Sequence, residues 1–304
     1  MRFELTADQR DFGDSLESLL AAADTVKAAR AWAAGDHEPG LALWRRLADL
    51  GVNALLVPED HGGLGATPVE LCVAFEALGQ HAVPGPWVES VAYLQLADGS
   101  LGTVAAPPHT PYALDADIAE QVYVADPDGL QMATVGEEVS SVDPSRRLFA
   151  VAPGEVHDVP DRPDRAFDLA ALATAADLLG AGERVLADSV AYVKQRKQFG
   201  REIGSYQAIK HQLANVRIAL DFARPLVFGA AVDPTPRSVS AAKIQSADAA
   251  DLASRVGLQV HGAIGYTAEY DLSRWLLRIR ALQSAWGTPA YHRERLLTDL
   301  LDAR

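Results

Sequence analysis

The strongest constraint on the fold is a helical pattern of apolar residues that continues from Ala166 almost to the end of the chain. Apolar side chains recur there at helical spacing in five long segments. A helix with one apolar face must bury that face against other elements, so five such segments in succession predict a helical bundle. The segments span residues 167–195, 207–229, 239–260, 272–282 and 289–301.

The first part of the chain is also mostly helical. Thr6 and Gln9 have the spacing of a capping box, in which each side chain bonds the other residue's backbone N–H. Gly51 and Gly79 each follow an apolar segment and are predicted to end a helix. The predicted helices run up to Leu20, from residue 41 to 50 and from residue 69 to 78.

Between residues 99 and 165 the helical periodicity is lost and prolines punctuate short apolar runs. Residues 121–125 and 147–152 have the composition of strands, which predicts a small antiparallel sheet. The sequence therefore indicates an α+β protein that is mainly α. We divide it into an N-terminal helical domain (1–98), a central β-domain (99–165) and a C-terminal helical bundle (166–304).

Charge and composition exclude several functions. The formal net charge of −14 repels a polyphosphate backbone, so nucleic acid is not an expected partner. The single cysteine, Cys72, lies in an apolar run and is expected to be a core residue. The N-terminus does not resemble a secretory signal, and no apolar run approaches the roughly 20 residues of a membrane-spanning helix. We expect a cytoplasmic protein with no membrane segment.

Common catalytic patterns are also missing from the sequence. It has no phosphate-binding Walker loop and no histidine pair at metal-ligand spacing, so no metal site is expected. The eight histidines are expected at the surface or at helix ends. Gly180 and Gly182 fall within a predicted helix with no strand before it, so they indicate close helix packing rather than dinucleotide binding.

Two C-terminal stretches carry more specific information. Residues 192–214 read YVKQRKQFGREIGSYQAIKHQLA, and residues 259–270 read QVHGAIGYTAEY. Residues 44–51 (WRRLADLG), 62–65 (GGLG) and 75–79 (FEALG) follow in register nearer the N-terminus. In this order the motifs resemble the acyl-CoA dehydrogenase family, across most of residues 1–98 and 166–304.

The resemblance implies a role for FAD. In that family the C-terminal domain of one subunit holds the ADP half of the cofactor, while the β-domain of its neighbour holds the flavin ring. Ala263 departs from the family pattern, which often has a second glycine. The alternative is that Arg196 only neutralises a helix end and Gly262 only forms a turn. The matching FAD-binding positions are Arg196, Gln198, Phe199, Gln207, Gln259, Gly262 and Ala263.

The resemblance also shows what the chain lacks. The family's flavin-ring stretches are absent between residues 99 and 165, and this central domain is about half the usual size. The position of the catalytic glutamate is occupied by Trp286, and a second position used by some members is Ala170. Neither side chain can accept a proton, so no catalytic residue is predicted and general-base catalysis is not available at either position.

This asymmetry implies a heteromeric enzyme. The chain resembles the shortened subunit of actinobacterial α2β2 acyl-CoA dehydrogenases that act on steroid side-chain thioesters. A second acyl-CoA dehydrogenase subunit would bind most of the acyl-CoA substrate and carry the glutamate, and the isolated chain would be inactive. Two alternatives stay open, a self-sufficient dehydrogenase with a relocated base and a flavin-free scaffold.

Overall fold

The computed structural model describes residues 4–126, 129–156 and 163–302. Helices come first, a sheet follows, and long helices complete the chain, in agreement with the predicted α+β fold. The helices of the first part are α1 (Ala7–Ala21), α2 (Thr25–Ala33), α3 (Glu38–Asp49) and α4 (Pro68–Gln80). A π-helical segment, Val88–Leu94, then leads towards the sheet.

The N-terminal helices follow the sequence pattern with two differences. Thr6 caps α1 in the predicted capping box with Gln9. Helix α2, which is only nine residues long, was not predicted. Gly79 does not end α4 as predicted, since the helix continues to Gln80. Cys72 is fully buried in the core, as expected.

The central sheet has five strands in the order β1-β3-β4-β5-β2. The prediction of an antiparallel sheet is wrong for one pair, because β1 runs parallel to β3. The long connection through β2 returns the chain to the sheet in the same direction, which a short hairpin cannot do. The strands are β1 (Gly102–Ala105), β2 (Ala113–Leu114), β3 (Gln121–Asp126), β4 (Gly129–Val139) and β5 (Leu148–Val156).

The C-terminal part is a helical bundle interrupted by one small hairpin. Its longest helix, α5, is rich in alanine and is buried along most of its length. In the described part of the chain, no helix combines the length and hydropathy needed to cross a bilayer. The elements are α5 (Pro163–Gln195), β6 (Lys197–Gln198), β7 (Arg201–Glu202), α6 (Gln207–Val232), α7 (Pro236–His261), α8 (Leu272–Leu282) and α9 (Pro289–Asp302).

Helices α4 and α5 join the first and last parts of the chain at glycine contacts. A Cβ on Gly180 would lie 1.9 Å from the backbone oxygen of Glu76, and one on Gly79 would lie 2.1 Å from that of Asp177. Backbone atoms therefore pack where side chains would separate the helices. This confirms that Gly180 serves helix packing.

A buried ion pair lies beside this contact. The guanidinium of Arg278 on α8 donates from Nε and Nη2 to Asp177, at 3.0 and 2.6 Å. It also donates from Nη1 to the carbonyl of Val83, at 3.0 Å. Paired charges with several hydrogen bonds can be buried, whereas removing one partner leaves the other uncompensated. Arg278 therefore ties α8 to α5 and to the segment after α4.

Replacing Gly180 by alanine tests the helix contact. We expect Gly180→Ala to lower the free energy of unfolding by about 1–3 kcal/mol, because the backbone of α4 must move to admit the methyl group. The matched control is Gly182→Ala, whose Cβ would meet the movable Leu220 side chain at 2.8 Å. Urea denaturation compares the two variants. An equal or smaller loss for Gly180→Ala would show that the helices separate easily.

Candidate functional site

The first motif forms a tight hairpin after α5. Strands β6 and β7 pair through Lys197–Glu202 and Gln198–Arg201, which leaves Phe199 and Gly200 as a two-residue turn. Both turn residues have positive φ, at 51° and 82°. Two-residue hairpin turns of this kind match the twist of the strands. The turn projects Phe199 into solvent, with 90% of the residue exposed.

The predicted FAD-binding residues of this motif are exposed. Arg196 lies directly after α5, and its backbone N–H donates to the carbonyl of Tyr192 at 2.9 Å. Gln198 is on the hairpin, and Gln207 begins α6, where no side chain caps the first N–H groups. Free N–H groups at a helix start favour an anion, as does an exposed guanidinium. These residues could hold a phosphate.

The second motif lies at the end of α7. Gln259 and Ala263 are exposed, and Gly262 follows the last helical residue with φ 64° and ψ −139°. A side chain disfavours that conformation, so the backbone itself requires glycine. A Cβ on Gly262 would meet no atom within 4 Å, so its outer side is open to a ligand.

A buried histidine brings the two motifs together. The ring of His261 stacks on Tyr192 of α5 with centroids 4.3 Å apart, and contacts Tyr270 on its other side at 5.3 Å. Its Nδ1 lies 2.7 Å from the carbonyl of Gly257. Burial lowers the pKa of His261, and Nδ1 is the donor because a carbonyl oxygen can only accept. Sequence patterns did not predict the contact between Tyr192 and His261, which lie 69 positions apart.

An arginine of the N-terminal part anchors the second motif from outside. Arg30 on α2 donates to the carbonyl of Glu269 at 2.7 Å and pairs with Asp271 at 2.7 Å. Glu269, Asp271 and Glu294 are exposed, as expected of surface carboxylates. Residues far apart in sequence thus fix the position of this loop.

Trp286 is fully buried in an aromatic cluster. Its ring stacks on Tyr93 at 5.1 Å, and Phe167 packs edge-on at 5.9 Å. Its backbone N–H donates to the hydroxyl of Thr110 at 3.0 Å. Ala170 is also fully buried, in the middle of α5. Neither side chain is itself a proton acceptor, although the buried carboxyl group of Glu89 lies near the Trp286 ring.

Lys243 holds the loop that carries Trp286. Its ammonium group is fully buried and donates to the carbonyls of Leu282, Gln283 and Gly287, at 3.0, 3.3 and 3.2 Å. Burial lowers the pKa of Lys243 from 10.5 to about 7. The first two acceptors end α8, where carbonyl groups attract a cation. Lys243 lies within a predicted helix, and the helical pattern does not indicate that its side chain binds the Trp286 loop.

Comparison with known proteins identifies the family. Residues 6–99 match the acyl-CoA dehydrogenase N-terminal domain, and residues 162–301 match the acyl-CoA dehydrogenase C-terminal domain. "Acyl-CoA dehydrogenase IpdE2" of Mycobacterium tuberculosis is 31% identical, over 95% of this chain and 96% of that protein. The chain belongs to the acyl-CoA dehydrogenase family.

Solved structures of acyl-CoA dehydrogenases have the same fold. The ChsE4–ChsE5 complex of Mycobacterium tuberculosis superposes with a TM-score of 0.81 and 22% identity, covering 99% of both chains. The Tcur3481–Tcur3483 steroid ACAD superposes with a TM-score of 0.84 and 21% identity, covering 97% of this chain and 98% of that one. The sequence-based recognition of the family and its fold is confirmed.

Two buried histidines lie at helix ends as predicted, since His81 follows the last residue of α4 and His261 is the last residue of α7. His292 departs from the prediction, because it is buried within α9. His292 is held by the carbonyl of Trp286 at 2.9 Å and the hydroxyl of Ser240 at 3.1 Å. Each ring has a hydrogen-bond partner, which offsets the cost of burying its polar nitrogen. Among the described residues, no three His, Cys, Asp or Glu side chains are grouped to bind a metal.

The buried ammonium of Lys243 makes stability depend on pH. Unfolding returns its pKa to 10.5, so between about pH 7 and pH 10 the unfolded chain binds the proton more tightly than the folded chain. Folded stability therefore rises with pH in this window, by at most about 1.4 kcal/mol per pH unit. Below about pH 7 the lysine is protonated in both the folded and the unfolded chain, so it no longer makes the free energy of unfolding depend on pH.

We expect the difference in unfolding free energy between wild type and Lys243→Met to shift in favour of wild type as pH rises from 7 to 10. Subtracting the unfolding free energy of the variant from that of wild type at each pH cancels the effects of other titrating groups. Lys210→Met, at an exposed position of α6, serves as the control and should show no such trend. A difference that is independent of pH for Lys243→Met would mean that its three carbonyl acceptors keep the lysine charged.

Proposed function

We propose that this chain is the non-catalytic subunit of a heteromeric FAD-dependent acyl-CoA dehydrogenase. It supplies the ADP half of the FAD site to a partner subunit that carries the catalytic glutamate and binds most of the acyl-CoA. The observation that carries the proposal is an asymmetry within one chain. The residues for the cofactor's phosphates are exposed and available, whereas the catalytic position is sealed by Trp286.

The pyrophosphate half of FAD fits the residues present. Arg196 offers a planar guanidinium for bidentate bonds to phosphate oxygens. The start of α6 at Gln207 offers free N–H groups, and the open side of Gly262 allows close approach of a ligand. Gln198, Phe199, Gln259 and Ala263 complete the proposed contact surface. When bound, FAD would accept the electrons removed from the acyl thioester.

The reacting half of the cofactor does not fit this chain. The family position for the base lies in the stack of Trp286 with Tyr93, and the second position, Ala170, is in the core of α5. No step of proton abstraction is therefore assigned to these residues. Dehydrogenation needs a base near the substrate α-carbon, which the partner would have to supply.

An exposed apolar stripe favours assembly with another subunit. Ile218, Phe222 and Leu226 are spaced four residues apart on α6 and are 51%, 67% and 41% exposed. Residues at this spacing share one helix face. Phe199 and Tyr266, beside the two cofactor motifs, are more exposed still. Exposed apolar side chains of this kind are typical of subunit interfaces.

The names of the similar proteins agree with such an assembly. ChsE4–ChsE5 is described as a complex, and Tcur3481–Tcur3483 as a steroid ACAD. We therefore propose an α2β2 heterotetramer and, as the substrate class, a steroid side-chain acyl-CoA. A self-sufficient dehydrogenase would need a base outside Trp286 and Ala170, and a scaffold without flavin would have no use for the exposed Arg196.

Loss of Arg196 should weaken cofactor retention. In the assembled complex, Arg196→Ala is expected to raise the FAD dissociation constant about 10- to 150-fold, corresponding to roughly 1.5–3 kcal/mol. Arg196→Lys should recover only part of the loss, because an ammonium group lacks the planar fork. Flavin released on dilution gives the measurement.

Lys197→Ala provides the matched control for Arg196. It removes an exposed positive charge from the adjacent residue, on the hairpin itself. If both variants weaken FAD binding equally, the effect is a general loss of positive potential. If Arg196→Ala retains FAD as well as wild type, Arg196 is only a charge at the end of α5.

Cofactor stoichiometry tests the division of labour. Each pair of different subunits forms one complete site, so the complex should hold one FAD per pair and two per tetramer. The chain produced alone should be colourless. Flavin absorbance against protein concentration measures the ratio after co-purification with the partner subunit. One FAD per polypeptide, or dehydrogenase activity of this chain alone, would overturn the proposal.

A further inference from the structure

A cavity of about 880 Å³ lies between the sheet and the C-terminal helices, next to the loop of Trp286. This volume is typical of sites for small organic molecules. Pro108, Leu114 and Leu148 give it apolar walls, and Ala281 and Ala285 line its helical side. The proposed FAD-phosphate residues do not line it, so the cavity is separate from that part of the cofactor site.

One wall of the cavity carries a buried cation. Arg146 is only 8% exposed, yet among the described residues its guanidinium has no hydrogen bond or ion pair. Its longer-range field acts on Glu89 and Asp115. Burial raises the pKa of Asp115 to about 8, so this neighbour is neutral at pH 7. A buried cation without an ionised partner is costly, and an anion in the cavity would offset that cost.

A buried carboxyl group faces the same cavity. Glu89 is 1% exposed, and its Oε2 has no hydrogen-bond partner among the described residues. Burial raises the pKa of Glu89, and the opposing effect of Arg146 only partly offsets it. A raised pKa favours the protonated form of the carboxyl group, which is a hydrogen-bond donor. Arg146 and Glu89 thus offer a cation and a neutral donor to one ligand.

We propose that this cavity binds a free carboxylic acid with an apolar body. The ligand's carboxylate would accept from Arg146 and from Glu89, and its hydrocarbon part would lie against Leu114 and Leu148. The site is distinct from the FAD function proposed above and needs no redox step.

The other acidic side chains of the cavity are paired with other arginines and do not neutralise Arg146. Asp248 is paired with Arg293 at 2.8 Å, and Asp251 with Arg255 at 2.8 Å. The unpaired charges on the lining are therefore positive, at Arg146 and at the exposed rim residue Arg280. A CoA thioester has no carboxylate at its acyl carbon, so it would leave Arg146 without an ionised partner.

Calorimetric titration of the purified full-length chain tests the proposal. The probes are octanoate and adamantanecarboxylate, with octanol and octanoyl-CoA as comparisons. We expect at least one acid to bind in a one-to-one ratio, about tenfold or more tighter than octanol and octanoyl-CoA. Arg146→Gln should weaken acid binding at least tenfold, since charge-assisted bonds exceed neutral ones. Glu89→Gln should weaken it less, because an amide still donates.

Two further variants test the site even if Arg146→Gln fails to fold. Ala281→Phe fills the cavity from the half-buried face of α8 and should abolish acid binding. Arg280→Gln, which removes the exposed arginine at the rim, should change the affinity less than threefold. Failure of both acids to bind, undiminished binding in Ala281→Phe, equal effects of Arg146→Gln and Arg280→Gln, or tighter binding of octanoyl-CoA would each overturn the proposal.

Discussion

The fold depends on the contact at which α4 and α5 meet through glycine. Gly79 and Gly180 bring two helix backbones so close that no Cβ fits between them. Arg278 then joins Asp177 of α5 to the carbonyl of Val83. Since one carbonyl and a paired carboxylate accept from its guanidinium, this charge can be buried where three parts of the chain converge.

Both halves of the candidate site extend from this contact. Helix α5 continues from Gly180 to the hairpin that presents Arg196, and α8 continues from Arg278 to the loop of Trp286. The contact therefore belongs to the helices that lead to Arg196 and to the Trp286 loop.

The two ends have diverged in chemistry. At the hairpin, polar and flexible groups stay exposed, which suits a ligand shared with another subunit. At the loop, Trp286 fills its surroundings and is held by Lys243 through the carbonyls around it. Polar groups nevertheless line the adjacent cavity, where Arg146 and Glu89 are buried without the partners that such groups normally have. The packed loop and the polar cavity thus lie side by side.

The sequence alone determined most of the helical segments and the family. Apolar periodicity located both ends of α8, and the Thr6–Gln9 spacing identified the cap of α1, because both signals are local. The parallel pairing of β1 with β3 and the buried roles of His261 and Lys243 were decided only by tertiary structure. Those contacts join residues distant in the chain, and a side chain's burial and partners depend on what packs against it rather than on its neighbours in sequence.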